Sequence, residues 1–470
     1  MMPRGVAQSG SAPGWGPGGR RFKSCLPDEQ RARVYGLFVF LGAGWDSALG
    51  SNLGSNVVRR HATAVRGKSS AAGPTFRPEM LNASYLRTPP SFTSDDPQLP
   101  ALFLLRPERN EAPFLAAHAK DLDGAVLLAR HLAPYPADSS QRAEGLRGDE
   151  LARQARRSKI PHLYDPDTAV FPMLRGDGLN AAFGRLDLTA AARSVPPHVS
   201  PQDLEDRHSL RDLVVAVLAP QTSVVSRAAP YFRFGALDDP WLGVNLRAAR
   251  MTQELTRGAA LATFVQVDLA GLLAGALAHA AARYADVLLP RGMALLQVAG
   301  LDPEHADETE LAAFLDAVSV WRQNGFSVIA DRVGPFGVGA VAIGASGIAC
   351  GTRVYRTTPD IQIEPPPFLR AGKLRYWAPA RHDRLPLKVA WARRDRGSLT
   401  PCPVEECDAL VESASLDDVR WHNIHLTLHE LEVVGSDPSA FVAELIASPI
   451  IYVRRWGQAL ELVRRRRAHA

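Results

Sequence analysis

Eight short, largely apolar segments lie between residues 101 and 350, set apart by loop- or helix-length intervals. They are 101–105 (ALFLL), 125–129 (AVLLA), 161–164 (PHLY), 224–234 (VVSRAAPYFRF), 262–267 (ATFVQV), 293–298 (MALLQV), 326–330 (FSVIA) and 347–350 (GIAC). Apolar runs without in–out alternation are the pattern of strands buried on both faces, and such strands belong to parallel sheets covered by helices. Residues 326–353, FSVIADRVGPFGVGAVAIGASGIACGTR, show the unit most clearly: a strand, a Gly/Ala-rich helical crossover and a second strand. Eight such strands over about 250 residues match the number and span of a (β/α)8 barrel. The expected fold is therefore α/β, a (β/α)8 TIM-like barrel over 80–356. An open doubly wound sheet is the alternative.

Several intervals are helical by pattern. In 241–257, Leu242, Leu246 and Met251 or Leu255 recur near 3.6-residue spacing after the start signal Asp239-Pro240. In 308–324, Leu311, Leu315, Val318 and Trp321 form one stripe that Gly325 ends. The early half is less regular. Residues 214–218 (VVAVL) compete with 224–234 for the fourth strand, and 141–157 reads as a charged helix.

Charge directs attention away from the front of the chain. The formal net charge of the 470 residues is +5, but residues 1–79 hold 11 Lys+Arg against 4 Asp+Glu. That leaves 43 basic and 45 acidic residues in the body, so no nucleic-acid partner is expected there. The leader is Gly/Ser/Pro/Arg-rich and cannot bury a core, and is expected to be disordered. Its residues 5–29 (GVAQSGSAPGWGPGGRRFKSCLPDE) resemble the conceptual translation of a transfer-RNA gene. That resemblance implies a natural start near Met80. The apolar run 271–289 is interrupted by His279 and Arg283 and fits a buried Ala-rich helix, so no membrane partner is expected. Four cysteines are too few for a disulfide framework at this length, which suits reduced thiols and a cytoplasmic location.

In a barrel of this kind the site is assembled from residues just past the carboxyl end of each strand. In chain order that edge offers Arg106; Arg130 and His131; Asp165 and Asp167; Tyr231 and Arg233; Gln266 and Asp268; Gln297 and Asp302; Asp331 and Arg332; then Cys350, Gly351, Thr352 and Arg353. Polar loop residues must succeed any buried strand, so part of this is inevitable. The charge type is not. Asp165, Asp167, Asp268 and Asp331 bring four carboxylates to one mouth with arginines between them, a set suited to proton transfer, to a divalent cation or to structural ion pairing. Arg332 and Arg353 with the Gly351 and Thr352 amides are candidates for binding an anion; glycines that serve only close helix–strand packing are the alternative. Tyr231 and Arg233, beside Phe232 and Phe234, suit a planar ligand, with hydrophobic packing under a loop as the alternative.

Residues 344–352 (GASGIACGT) resemble the last turns of phosphate-binding TIM barrels, including flavin-mononucleotide enzymes. That resemblance implies a small anionic or phosphorylated ligand at the mouth, with FMN among the candidates. The chain departs from it where Asp331-Arg332-Val333-Gly334 replaces the usual Gly-Gly turn. The functional expectation is an enzyme acting on such a ligand; a non-catalytic barrel serving as an interaction or regulatory protein is the alternative.

Residues 357–470 change character and are expected to form an α+β appendage. Cys402 and Cys407 are followed by a helix expected over 417–434, carrying His422, His425 and His429, with Ser415 or Asp417 as cap and Gly435 as stop. Two thiols and histidines of one helix face suit a tetrahedral zinc site of Cys402, Cys407, His422 and His425 or His429. The alternative is that these histidines merely flank the apolar stripe Trp421, Ile424, Leu428 and Leu431. A barrel with such an appendage is loosely similar to the tRNA-guanine transglycosylases, but their Asp-Ser-Gly-Gly-Phe signature does not occur here. The terminal run Arg464–Arg467 reads as a solvated helix end.

Overall fold

A computed structural model describes residues 101–108, 111–129, 150–173, 199–221, 224–351, 374–379, 382–404, 407 and 415–469. The leader, Arg130, His131, Thr352 and Arg353 lie outside the described residues, as does 141–149 of the charged segment.

The strands are β1 (Leu102–Leu105), β2 (Gly124–Leu128), β3 (His162–Asp165), β4 (Arg227–Ala228), β5 (Leu261–Asp268), β6 (Met293–Ala299), β7 (Ser327–Asp331) and β8 (Gly347–Cys350). They form one parallel sheet in the order β3-β2-β1-β8-β7-β6-β5-β4. The first strand pairs with the last over four residues, Leu102 opposite Gly347 through Leu105 opposite Cys350. A doubly wound open sheet does not bring its first and last strands together in this way, so the ring is a nearly closed (β/α)8 barrel. Gly347 permits the approach: a Cβ there would lie 2.3 Å from the Leu102 carbonyl oxygen.

The seam lies between β3 and β4, where no ladder forms. Val225 N donates to His162 O at 3.0 Å. Above it, Tyr231 N donates to Thr168 Oγ1 at 2.7 Å, and that hydroxyl donates to Tyr231 O at 2.6 Å. The fourth strand is two residues long, not the run expected over 224–234. Pro230 offers no N–H to a ladder; just beyond it Tyr231 is held by Thr168, and the chain rejoins β5 at an isolated parallel bridge, where Phe234 N donates to Gln266 O at 3.2 Å. Residues 214–218 are the end of a helix.

The helices on the barrel are α1 (Ala112–Ala117), α2 (Glu150–Arg157), α3 (Arg207–Leu218), α4 (Pro240–Leu255), α5 (Leu269–Leu273), α6 (Ala276–Val287), α7 (Glu308–Gln323) and α8 (Phe336–Ala342). Their starts agree with the sequence signals. Asp239 caps α4 before Pro240, and Asp307 and Glu310 close a capping box on α7. The Ala-rich segment expected as one helix is two, α5 and α6, divided at Gly275, whose φ of +77° leaves the helical region.

Strand side chains alternate between two cores. Leu104, Val126, Leu163, Phe264, Leu295, Ile329 and Ala349 fill the barrel interior. Their neighbours, among them Phe103, Leu105, Val265, Leu296 and Val328, face the helices. Each fully buried large aliphatic or aromatic side chain contributes roughly 1.5–3 kcal/mol by leaving water.

After the barrel come an antiparallel hairpin, β9 (Arg375–Ala378) and β10 (Asp383–Pro386), then α9 (Leu387–Asp395), α10 (Leu416–Ser436), α11 (Pro438–Ala447) and α12 (Ile451–His469). Ser415 caps α10 in a capping box with Asp418. The helix passes through Gly435 and stops at Asp437, which caps α11 instead. Arg465, Arg466 and Arg467 are exposed at the helix end, which is also tethered: Arg466 pairs with Asp316 of α7 at 2.7 Å, and Arg467 donates to Ile343 O at 2.8 Å. Arg455 donates to the carbonyls of Glu304 and Ala306, fastening α12 to the β6–α7 loop. Among the described residues no helix is long and apolar enough to cross a membrane.

Candidate functional site

The inward positions of the strands run from apolar to polar along the barrel axis. In β1, Leu102 and Leu104 are succeeded two residues on by Arg106; in β5, Ala262 and Phe264 by Gln266; in β6, Leu295 by Gln297; in β7, Ile329 by Asp331; in β3, Leu163 by Asp165. Period-two alternation therefore delivers one polar layer at the carboxyl end, with Asp165, Asp331 and Gln297 fully buried and Arg106 9% exposed.

Arg106 is the hub. Its Nε donates to Asp331 Oδ1 at 2.6 Å and its Nη2 to Asp331 Oδ2, while Nη1 donates to Asp165 Oδ2 at 2.8 Å. The guanidinium also lies 5.7 Å from the centre of the Phe264 ring. Asp165 Oδ1 accepts from Tyr231 OH and from Asp167 N, both at 2.9 Å. Asp331 Oδ2 also accepts from Gln297 Nε2 at 2.7 Å, and Gln297 Oε1 accepts from Gln266 Nε2 at 3.2 Å. Arg332 approaches Asp165 Oδ2 at 3.5 Å.

Burial opposes charge on Asp165. The facing guanidiniums of Arg106 and Arg332, with the hydrogen bonds from Arg106 and Asp167 N, outweigh it and hold the carboxyl below its usual range. Burial acts against the Arg106 charge too, yet Asp331 and Asp165 leave that guanidinium more firmly protonated than usual. Burial raises the Tyr231 phenol, helped by Asp165 and Asp167, so it stays a donor. The layer is thus a set of ion pairs whose carboxylate oxygens are already engaged by donors.

The other expected site residues fall in different places. Asp268 is the N-cap of α5, accepting from Gly271 N at 2.6 Å. Tyr231 faces the barrel interior and stacks on Phe264 at 5.4 Å. Arg233 is part-buried between Phe232 and Phe234. Gly351 comes directly after β8 with its Cα side toward the Arg106 carbonyl. Arg332 adopts a left-handed φ of +58°, and its side chain is 14% exposed. Gly344 and Gly347 are explained by packing: the first ends α8 at a φ of +100°, the second admits β1. Pro335 removes one amide from the start of α8, and Gly337 N is taken by Gly334 O.

A second cluster lies in the C-terminal segment. Cys402, Cys407, His422 and His425 each present one ligand atom, all within 4.8 Å of one another. Cys407 Sγ is 3.0 Å from His422 Nδ1, and Cys402 Sγ is 3.3 Å from His425 Nε2. Tetrahedral zinc with bonds of about 2.0–2.3 Å sets ligand atoms roughly 3.3–3.8 Å apart, so the set needs little rearrangement to close on an ion. His422 Nε2 lies 2.7 Å from Trp377 O, which can only accept. That bond places the ring proton on Nε2 and leaves the Nδ1 lone pair facing the thiols, the outer-shell arrangement of a metal-bound histidine. Tyr376 stacks on the His422 ring at 4.1 Å and 6°, fixing its plane. The two sulfurs share a hydrogen bond that pushes the Cys407 thiol down and the Cys402 thiol up. His422 and His425 are buried, so they do not merely flank the apolar stripe of α10. A metal ion can be held here.

The chain is thus a nearly closed (β/α)8 barrel with a charge-paired mouth and a Cys2His2 cluster able to take a metal. No protein family matches the chain, and no curated protein matches it. Among solved structures the chain is similar to the crystal structure of a candidate alpha-L-fucosidase from Bacteroides thetaiotaomicron, with 13% identity and a TM-score of 0.30. The match covers 50% of this chain and 74% of that one. At that overlap nothing about substrate transfers.

Proposed function

We propose that the barrel mouth binds a small anionic ligand through Arg332, above a rigid floor made by Arg106, Asp165 and Asp331. The carrying observation is the state of Arg332. It is held in a left-handed backbone conformation at the end of β7, and its guanidinium has one partner among the described residues, Asp165 at 3.5 Å. A largely buried guanidinium with unused donors suits phosphate or carboxylate. The floor serves to hold that charge in place. Saturated, ion-paired carboxylates are poor proton carriers, so the geometry supports binding ahead of acid–base catalysis by Asp165 or Asp331. Titration calorimetry of inorganic phosphate against the parent and Arg332→Ala tests this. Binding that disappears with Arg332 supports the reading; phosphate affinity equal in both ends it.

A second reading concerns the C-terminal cluster, in which Cys402, Cys407, His422 and His425 hold one zinc ion. Four protein ligands leave no open position, so the role is structural. Metal analysis of untagged protein is expected to find about one zinc per chain, falling to background in Cys402→Ser/Cys407→Ser. Equal zinc in both proteins removes the site.

A further inference from the structure

The polar layer does more than neutralise charge: it fixes which atom of Gln266 remains available. An ionised aspartate only accepts hydrogen bonds, so Asp331 compels Gln297 to present Nε2, at 2.7 Å. Gln297 then has only Oε1 to offer its other neighbour, which compels Gln266 to present its own Nε2, at 3.2 Å. Strand register supports this ordering, since Gln266 sits opposite Gln297, and Leu296 opposite Ala330 places Gln297 beside Asp331. The amide of Gln266 therefore cannot turn over without breaking a chain anchored at Arg106. What is left is Gln266 Oε1. Gln266 is 7% exposed, and among the described residues this oxygen has no hydrogen-bond partner.

We infer that Gln266 Oε1 is a specificity-determining acceptor, so that the mouth selects ligands carrying a hydroxyl or amine donor a few atoms from their anionic group. This rests on Arg332 as the anion-binding residue. β5 and β7 are two strand spacings apart, about 10 Å between backbones, a gap that the two side chains and a ligand of a few atoms can span. A buried acceptor discriminates strongly because a ligand without a donor leaves it desolvated and unpaired.

Two phosphate esters of equal size and charge provide the test: 2-hydroxyethyl phosphate, with a terminal donor, and propyl phosphate, with a methyl group in its place. Dissociation constants are measured by calorimetry on the full chain. The hydroxyl ester is expected to bind about fivefold tighter, the size of one net neutral hydrogen bond. In Gln266→Met the ratio is expected to fall to about one. In Gln297→Leu, where the contacting atom is retained but the amide is free to turn, preference for 2-hydroxyethyl phosphate over its acceptor-only methyl ether is expected to shrink. Equal affinities of the parent for the hydroxyl and propyl esters overturn the role of Gln266 and leave Arg332 standing. If neither ester nor inorganic phosphate binds the parent, the Arg332 reading fails and this inference fails with it.

Discussion

Arg106 and Asp331 form a two-pronged pair across the barrel mouth, with Arg106 Nε 2.6 Å from Asp331 Oδ1 although strand β8 runs between their own strands. The same guanidinium reaches Asp165 on the far side of β2, so one side chain ties the ends of three strands together. Removing it leaves Asp331 without a counter-charge in a buried layer and Asp165 with only the longer 3.5 Å approach of Arg332. Arg106→Met is expected to cost about 3–5 kcal/mol, the range for stripping one partner from a buried ion pair. Urea unfolding checks this; a loss below about 1 kcal/mol shows that water or other groups already neutralise the aspartates.

The same cluster sets an acid limit. Asp165 titrates lower in the folded protein than in the unfolded chain. Its contribution is present above the unfolded value of about 3.9 and is lost as pH falls through the folded one. Urea midpoints of the parent are expected to fall below about pH 4, and Asp165→Asn is expected to flatten that dependence. An unchanged acid slope in the variant assigns the effect to other carboxylates.

His382 sets a limit of opposite sign. It is 6% exposed, with Nδ1 3.0 Å from Glu430 Oε1 and Nε2 3.6 Å from Glu444 Oε1, and Trp377 Nε1 donates to the same Glu430 oxygen at 2.7 Å. Burial works against its charge, but the two glutamates raise its pKa to about 10. A raised folded value stabilises fully below the unfolded pKa of about 6.5, and that contribution is lost as pH rises toward 10. Stability is expected to decline across that interval in the parent and much less in His382→Gln. Parallel pH profiles reject the assignment.

Much of this was legible in the chain. The strand count came from apolar runs, and Arg106, Gln266, Gln297 and Asp331 stand in phase with inward leucine, phenylalanine and isoleucine residues, two positions further along their strands. The hub role of Arg106 was not legible, because a single arginine after ALFLL looks like any strand end until β7 and β3 are placed around it. Asp268 shows the converse: the same residue type at the same edge is a helix cap, a local role that strand-end position cannot distinguish. The Cys-x4-Cys and His-x2-His spacings exposed the C-terminal cluster, whereas its support from the Trp377 carbonyl comes from 45 residues away.

Close strand approach gives a stability prediction independent of charge. A Cβ on Gly347 would meet the Leu102 carbonyl oxygen at 2.3 Å, a backbone atom that cannot turn aside. Gly347→Ala must therefore part β1 from β8 at the point where the ring closes. A loss of about 1–3 kcal/mol in urea unfolding is expected, as for other overpacked sites. A neutral substitution implies that the first and last strands are not paired as described.

Arg332 carries the sharpest contrast between stability and binding. Its φ of +58° costs a side chain bearing an ordinary Cβ about 1 kcal/mol or more, while asparagine tolerates this region better. The 3.5 Å approach to Asp165 is long for a hydrogen bond, and Asp165 keeps its closer partners Arg106, Tyr231 and Asp167 N when Arg332 is replaced. Arg332→Asn is therefore expected to unfold within about 0.5 kcal/mol of the parent or above it, whereas Arg332→Ala keeps the strain and falls below. Both variants are expected to lose phosphate binding. If Arg332→Asn is instead destabilised by more than about 1 kcal/mol, the guanidinium belongs to the structural floor with Arg106, and a strained arginine at that turn needs no ligand to explain it.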